Sequence, residues 1–126
     1  EHAYSHLLSP EGLILHDGWR PMLNEGETIP LDYRPFQEMD TIIFSMLRSG
    51  KVSLVHRKTG RGVSLDFHEF PMVAFWTTPG APYLCLEPWQ GCAAYDNESG
   101  KFEDKPFCVI LPPDREKSLT YAFRIE

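Results

Sequence analysis

Eleven prolines and nine glycines are spread through a chain of 126 residues, and this spacing constrains the fold more than any other feature. Proline lacks an amide hydrogen and clashes with the preceding helical turn, while glycine weakens helix interiors. Long helices therefore have little room, and the segments between the interruptions read as strands and turns. Residues 3–8 and 13–16 are apolar and flank Ser9-Pro10-Glu11-Gly12, where proline presets φ and glycine accepts a positive one. A hairpin is predicted there.

Residues 17–30 and 31–40 are polar or broken by proline and sustain no helical period, so both read as loop with short extended pieces. Residues 41–47 and 51–57 are predicted as two strands joined by a tight turn at Ser49-Gly50. In the second of these, Val52, Leu54 and His56 alternate with Lys51, Ser53 and Val55. A further strand follows the turn at 58–62, with Val63, Leu65 and Phe67 on a buried face and Ser64, Asp66 and His68 on a polar one.

Residues 72–77 are almost continuously apolar, as in a strand covered on both faces. After Thr78-Pro79-Gly80-Ala81-Pro82 another strand is expected over 83–87, ending early at Pro88. Residues 91–106 are mixed and polar. Residues 118–125 alternate most cleanly of all, with Leu119, Tyr121, Phe123 and Ile125 on one face. Strands this frequent, with no amphipathic helix between them, describe an all-β, antiparallel sandwich or barrel rather than a βαβ sheet.

The length suits one domain, 1–126, or a fraction of a larger one. Glu1 is not an initiator methionine, and strand-like sequence begins at once, so the chain is expected to be a piece of something longer. The net charge is −6 with twelve scattered Lys and Arg residues, leaving no basic stripe for phosphates, so nucleic acid is not an expected partner. No apolar run approaches the roughly 20 residues a membrane helix needs, and no charged-then-apolar leader is seen, so a soluble, unsecreted protein is expected. Cys85, Cys92 and Cys108 are odd in number and lack metal or redox spacing, which suits reduced thiols in the cytoplasm.

Within Tyr83-Leu84-Cys85-Leu86-Glu87-Pro88-Trp89, alternation places Glu87 with Tyr83, Cys85 and Trp89, opposite Leu84 and Leu86. The segment is too apolar for a solvated face, yet burying an unpaired carboxylate is costly. Two readings meet both facts: a covered, ligand-filled cleft in which the acid exchanges protons, or a Glu paired with a buried Arg or backbone amide. His56 and His68, placed in strands, read as surface or half-buried residues, and no group of His, Cys, Asp or Glu has metal-ligand spacing, so no metal is expected. Trp76, Tyr83 and Trp89 offer aromatic faces, although core packing explains Trp76 equally well.

Residues 75–89, Phe75-Trp76-Thr77-Thr78-Pro79-Gly80-Ala81-Pro82-Tyr83-Leu84-Cys85-Leu86-Glu87-Pro88-Trp89, resemble the conserved C-terminal stretch of the aldose 1-epimerase (galactose mutarotase-like) family. Upstream, Leu31-Asp32 and Phe36-Gln37-Glu38-Met39-Asp40, followed by the predicted hairpin 41–57, are similar to the segment ending in that family's substrate-binding Asp. Downstream, Leu111-Pro112-Pro113-Asp114 and the closing strand resemble its leucine-proline turn and last strand. The resemblance covers 31–126 and implies the C-terminal part of a galactose mutarotase-like β-supersandwich. It is closest to a divergent branch, because Pro88-Trp89 stands where better-studied mutarotases have Gln after the base, then Asp and Pro.

By this resemblance Glu87 is the general base, Asp40 binds substrate hydroxyls, and Trp89 and Tyr83 wall the site for an aldohexose. No cofactor is implied, since α and β anomers interconvert by two opposed proton transfers during ring opening. The family's acid is a His in a His-x-Tyr-Phe-Asn or His-Pro-x-Phe type motif, and His2, His6, His16, His56 and His68 all lie in other contexts. The acid is therefore expected from a missing N-terminal half or a second chain. Two rivals stay open: a noncatalytic sugar-binding module, and a β-rich subunit completed by another polypeptide.

Overall fold

The computed structural model describes residues 2–126; Glu1, at the head of the first predicted strand, lies outside them. The first hairpin is present. Strand β1 (His2–Leu8) pairs antiparallel with β2 (Ile14–Asn24). The turn between them closes by Gly12 N–H donating to the Ser9 carbonyl at 2.9 Å, with Gly12 at φ +84°. β2 is far longer than expected and occupies much of the predicted loop 17–30. Pro21 sits inside β2, opposite Tyr4, where the register shifts and the ladder is already interrupted, so its missing N–H is tolerated.

The segment 31–40 also departs from expectation, because Arg34–Met39 forms a short helix, α1. Pro35 lies in its first turn, where no intrahelical N–H is required, and Phe36 and Met39, three residues apart, both point into the core. Six residues are too few to hold a helix by propensity alone. Burial of that apolar pair fixes it against the following strand.

β3 (Thr41–Ser45) does not form a hairpin with β4 (Lys51–Val55), contrary to the predicted tight turn. β3 pairs instead with β6 (Met72–Trp76), which pairs in turn with β7 (Cys85–Trp89), giving the order β3-β6-β7. β4 pairs with β5 (Gly62–Asp66), and β5 with β8 (Ala122–Ile125), giving the order β4-β5-β8. All five strand–strand ladders among the described residues are antiparallel. The architecture is thus all-β and antiparallel apart from α1 and one 3₁₀ turn at Phe102–Asp104.

The two three-stranded sheets contribute to one apolar cluster, with Ile42, Phe44, Val73 and Phe75 from the first and Leu65 from the second, joined by Phe36, Met39 and Phe67. Leu65 and Val73 have no exposed surface. Burying such a side chain contributes about 1.5–3 kcal/mol each, which makes this cluster the main source of stability. The opposite face of β6 is covered too, as expected: Ile43, Met72 and Ala74 pack under Leu8, Trp89, Cys92 and Phe107. The segment 91–106, read as mixed and polar, thus supplies part of that cover through Cys92, with Phe107 just beyond it. The segment is fastened to β2 by a parallel bridge between Ile14 and Tyr95, where Ile14 N–H donates to the Ala94 carbonyl at 2.8 Å.

β8 is only four residues long and exposed throughout, although its segment has the cleanest alternation in the chain. Tyr121, Phe123 and Ile125 remain 53, 52 and 85% exposed. β5 has one buried face as predicted, but Ser64 on its other face is buried as well, bonded to Ser53 Oγ and donating to Glu126 Oε1. Among the described residues no helix is long and apolar enough to cross a membrane.

Candidate functional site

Glu87 lies at the centre of β7, an edge strand, and is half-buried. Pro88 is inside this strand, opposite Val73, rather than ending it. An edge accommodates proline because its missing N–H can face the unpaired side. The alternation is as expected: Leu84 and Leu86 pack on the main core, while Trp89, on the Glu87 face, packs against Ile43, Met72 and Ala74.

Across the sheet, Ile43, Ala74 and Glu87 form one row. On either side lie the rows Thr41, Trp76, Cys85 and Ser45, Met72, Trp89. The Trp89 indole Nε1–H donates to Glu87 Oε2 at 3.0 Å. No Arg or Lys is paired with Glu87 among the described residues.

Asp40 ends α1 and is exposed. Its N–H donates to the Phe36 carbonyl at 3.1 Å, and its Oδ2 accepts from Thr41 Oγ1 at 2.7 Å. The backbone there has φ 65° and ψ −62°, the rare, strained γ-turn region. Thr41 is on the Glu87 face of the sheet, so Asp40 stands at the rim of that face. Two strand spacings and three residues along β3 separate Asp40 from the Glu87 row, on the order of 14 Å between Cα atoms. The structure does not bring the two side chains into contact.

Tyr83 precedes β7 and is half exposed, with its ring 6.2 Å from that of Trp76. Tyr33, just before α1, donates its hydroxyl to the Ala81 carbonyl at 2.7 Å, tying the Asp40 segment to the loop that carries Tyr83. Asp40, Trp76 and Tyr83 therefore collect at one end of the β3-β6-β7 sheet, with Glu87 and Trp89 further along the same face.

Sequence reasoning missed His6. It is 2% exposed, its Nε2 shares a 2.8 Å hydrogen bond with Ser45 Oγ, its ring centroid lies 4.0 Å from that of Trp19, and its Nδ1 has no partner. Burial lowers its pKa below 6.5. Ser5 and His6 are both buried because the register shifts between His6 and Leu8, and strict alternation hides such a pair. His16, Asp17 and Asp96 also converge, their ligand atoms all within 4.8 Å of one another, but all three are exposed and His16 Nδ1 is bonded to Asp96 Oδ1 at 2.9 Å. The two acids stand 79 positions apart in the chain, so spacing gave no signal. His56 and His68 lie just past their strands' ends and are exposed; His68 pairs with Asp66, whose hydrogen bond raises the His68 pKa.

The all-β, antiparallel architecture is consistent with the family that the sequence resembles. The chain is 38% identical over 108 residues to the plasmid-borne Protein LacX of Lactococcus lactis subsp. lactis, and 37% identical to the chromosomal Protein LacX of that organism. It is a homologue of these proteins over that stretch, and its sequence resembles the aldose 1-epimerase, or galactose mutarotase-like, family. The match covers 84% of the chain and 36% of each relative, so the chain spans about a third of the length of the curated relatives it matches. No family model matches the chain, and no solved structure does.

Proposed function

We propose that this chain is the base-bearing, C-terminal part of a protein that interconverts the α and β anomers of an aldose. The observation that carries the reading is Glu87, half-buried on an apolar face with one oxygen held by an indole N–H and no salt bridge to it among the described residues. Glu87 takes the C1 hydroxyl proton while the ring oxygen gains a proton from an acid, and the C1–ring oxygen bond breaks. The aldehyde then rotates, and the reverse steps close either anomer. Asp40 accepts hydrogen bonds from sugar hydroxyls at the rim, while Trp89 and Tyr83 present aromatic faces to the ring.

The acid, a His in the family, comes from residues outside this chain. The two sheets that share the Leu65–Val73 cluster are part of a galactose mutarotase-like supersandwich, best matched over 31–126. The exposed row Tyr121, Phe123 and Ile125 supports completion of the fold by further polypeptide. Three free cysteines suit a cytoplasmic setting.

The test is Glu87→Gln in the whole protein, with mutarotation of an aldohexose followed by polarimetry. A positioned base contributes about 10²–10⁴-fold, so turnover drops by that amount while sugar affinity changes little. Unchanged turnover in the variant defeats the reading. Sugar binding with no mutarotation even in the wild-type protein selects the noncatalytic module instead. The 126-residue chain alone is expected to be a poor mutarotase; full turnover by it would remove the need for an external acid.

A further inference from the structure

We infer that Trp89 is a positioning residue for the Glu87 carboxylate, and not only a wall of the sugar site; this rests on Glu87 being the base. Glu87 and Trp89 are two residues apart on one face of β7, which puts the indole beside the carboxylate, and its Nε1–H donates to Oε2 at 3.0 Å. A donor is only as well placed as the group that bears it. The Trp89 ring is anchored against Ile43, Met72 and Ala74, of which none is more than 1% exposed.

The intervening Pro88 adds a second restraint. Its ring fixes its own φ and excludes helical backbone at the preceding residue, so Glu87 is confined to extended conformations. β7 is additionally paired along its length with β6, from Met72↔Trp89 to Trp76↔Cys85. Glu-Pro-Trp is therefore a stiff unit in which the backbone aims the carboxylate and the indole fixes one of its oxygens. Oε1 has no protein partner among the described residues, and that oxygen is the one that meets the C1 hydroxyl.

A wall and a positioning donor differ in what they change. Loss of a wall weakens binding and raises KM; loss of the donor leaves the ring floor in place and lowers the fraction of time the base is aimed, which lowers kcat. Trp89→Phe keeps an aromatic face and removes the N–H. In the whole protein, with an aldohexose as substrate, kcat falls about 10- to 100-fold, the scale of a small misplacement of a catalytic group, and KM stays within about twofold. A rise in KM at constant kcat, or no change in either, overturns the inference.

Glu87→Gln is measured beside it. If that variant keeps full turnover, the base assignment itself fails; if it is inactive while Trp89→Phe is normal, only the positioning role fails. Should Trp89→Phe not fold, hydrogen exchange at the Trp89 indole, read by NMR, asks the same question. Exchange is slow in the wild-type protein and faster in Glu87→Gln, whose neutral amide is the weaker acceptor. Equal rates in the two proteins overturn the inference.

Discussion

His6 makes a pH dependence calculable in sign and bounded in size. The imidazole is 2% exposed, packed against Trp19 and Tyr95, bonded through Nε2 to Ser45 Oγ, with Nδ1 unpartnered. No carboxylate among the described residues pairs with it. Protonation would place a cation in this setting, and burial accordingly lowers the pKa below 6.5. In the unfolded chain the ring titrates near its ordinary value of about 6.5. Below that pH the unfolded state binds a proton that the folded state refuses, so stability is complete above it and declines as pH falls towards the folded pKa. The slope cannot exceed about 1.4 kcal/mol per pH unit for one group.

His16 and His68 act in the opposite sense. Hydrogen bonds to Asp96 and Asp66 raise their pKa values, so what they contribute is present below about 6.5 and lost as pH rises through the raised values. Both are exposed, and solvent screens their pairs. The lowered carboxyls Asp32, Asp66, Asp96 and Glu98 lose their contribution only as pH falls below 3.8 to 4.5. Urea unfolding at pH 7.5 and 5.5 therefore isolates the histidines. The wild-type protein is less stable at pH 5.5, by no more than about 1.4 kcal/mol, and His6→Asn, though weaker at pH 7.5, removes or reverses that difference. A variant as acid-sensitive as the wild type would refute the reasoning.

Two further outcomes follow from backbone geometry. A Cβ added at Gly62 would lie 2.5 Å from the Leu54 carbonyl oxygen, so Gly62→Ala should destabilise by about 1–3 kcal/mol, the usual cost of forced overpacking, seen as a lower denaturant midpoint; an unchanged midpoint would contradict the β4-β5 spacing. Asp40→Gly relieves a conformation costing about 1–3 kcal/mol but loses the Thr41 hydrogen bond, so stability should hold or rise slightly while KM for the sugar increases; a large loss of stability with KM unchanged would make Asp40 a structural residue only.

What the sequence revealed was local chemistry, and what it hid was pairing over distance. Ser9-Pro10-Glu11-Gly12 carries its own turn, and the apolar run around Ala74 signals cover on both faces, so the first hairpin and β6 were both legible. Nothing within residues 41–57 says that β3 will turn away from β4 to pair with β6, because the partner lies beyond two intervening strands. Pro88 and Pro21 read as stops only if their strands are central; one lies on an edge and the other at a register shift. Alternation placed Glu87 and Trp89 on a common face, but not the indole hydrogen bond. The mixed, polar composition of residues 91–106 gave no hint that Cys92, and Phe107 just beyond it, would cover Ile43 and Met72.

Exposure along the row Ile43, Ala74, Glu87 explains why the acid stands on the third strand and not the second. Ile43 and Ala74 have at most 1% of their surface exposed, and a carboxylate at Ala74 would be severed from both water and ligand at a cost of several kcal/mol. At β7 the same face reaches the open edge while a core-anchored side chain still adjoins it. An arginine there would neutralise the acid and engage both oxygens in a bidentate pair. An indole lays its apolar body on Ile43, Met72 and Ala74 and offers a single N–H. Under the proposed function, the edge strand would admit the ligand and the tryptophan would steady the acid while leaving its second oxygen free, so the position of the strand and the identity of its last residue would answer the same physical requirement.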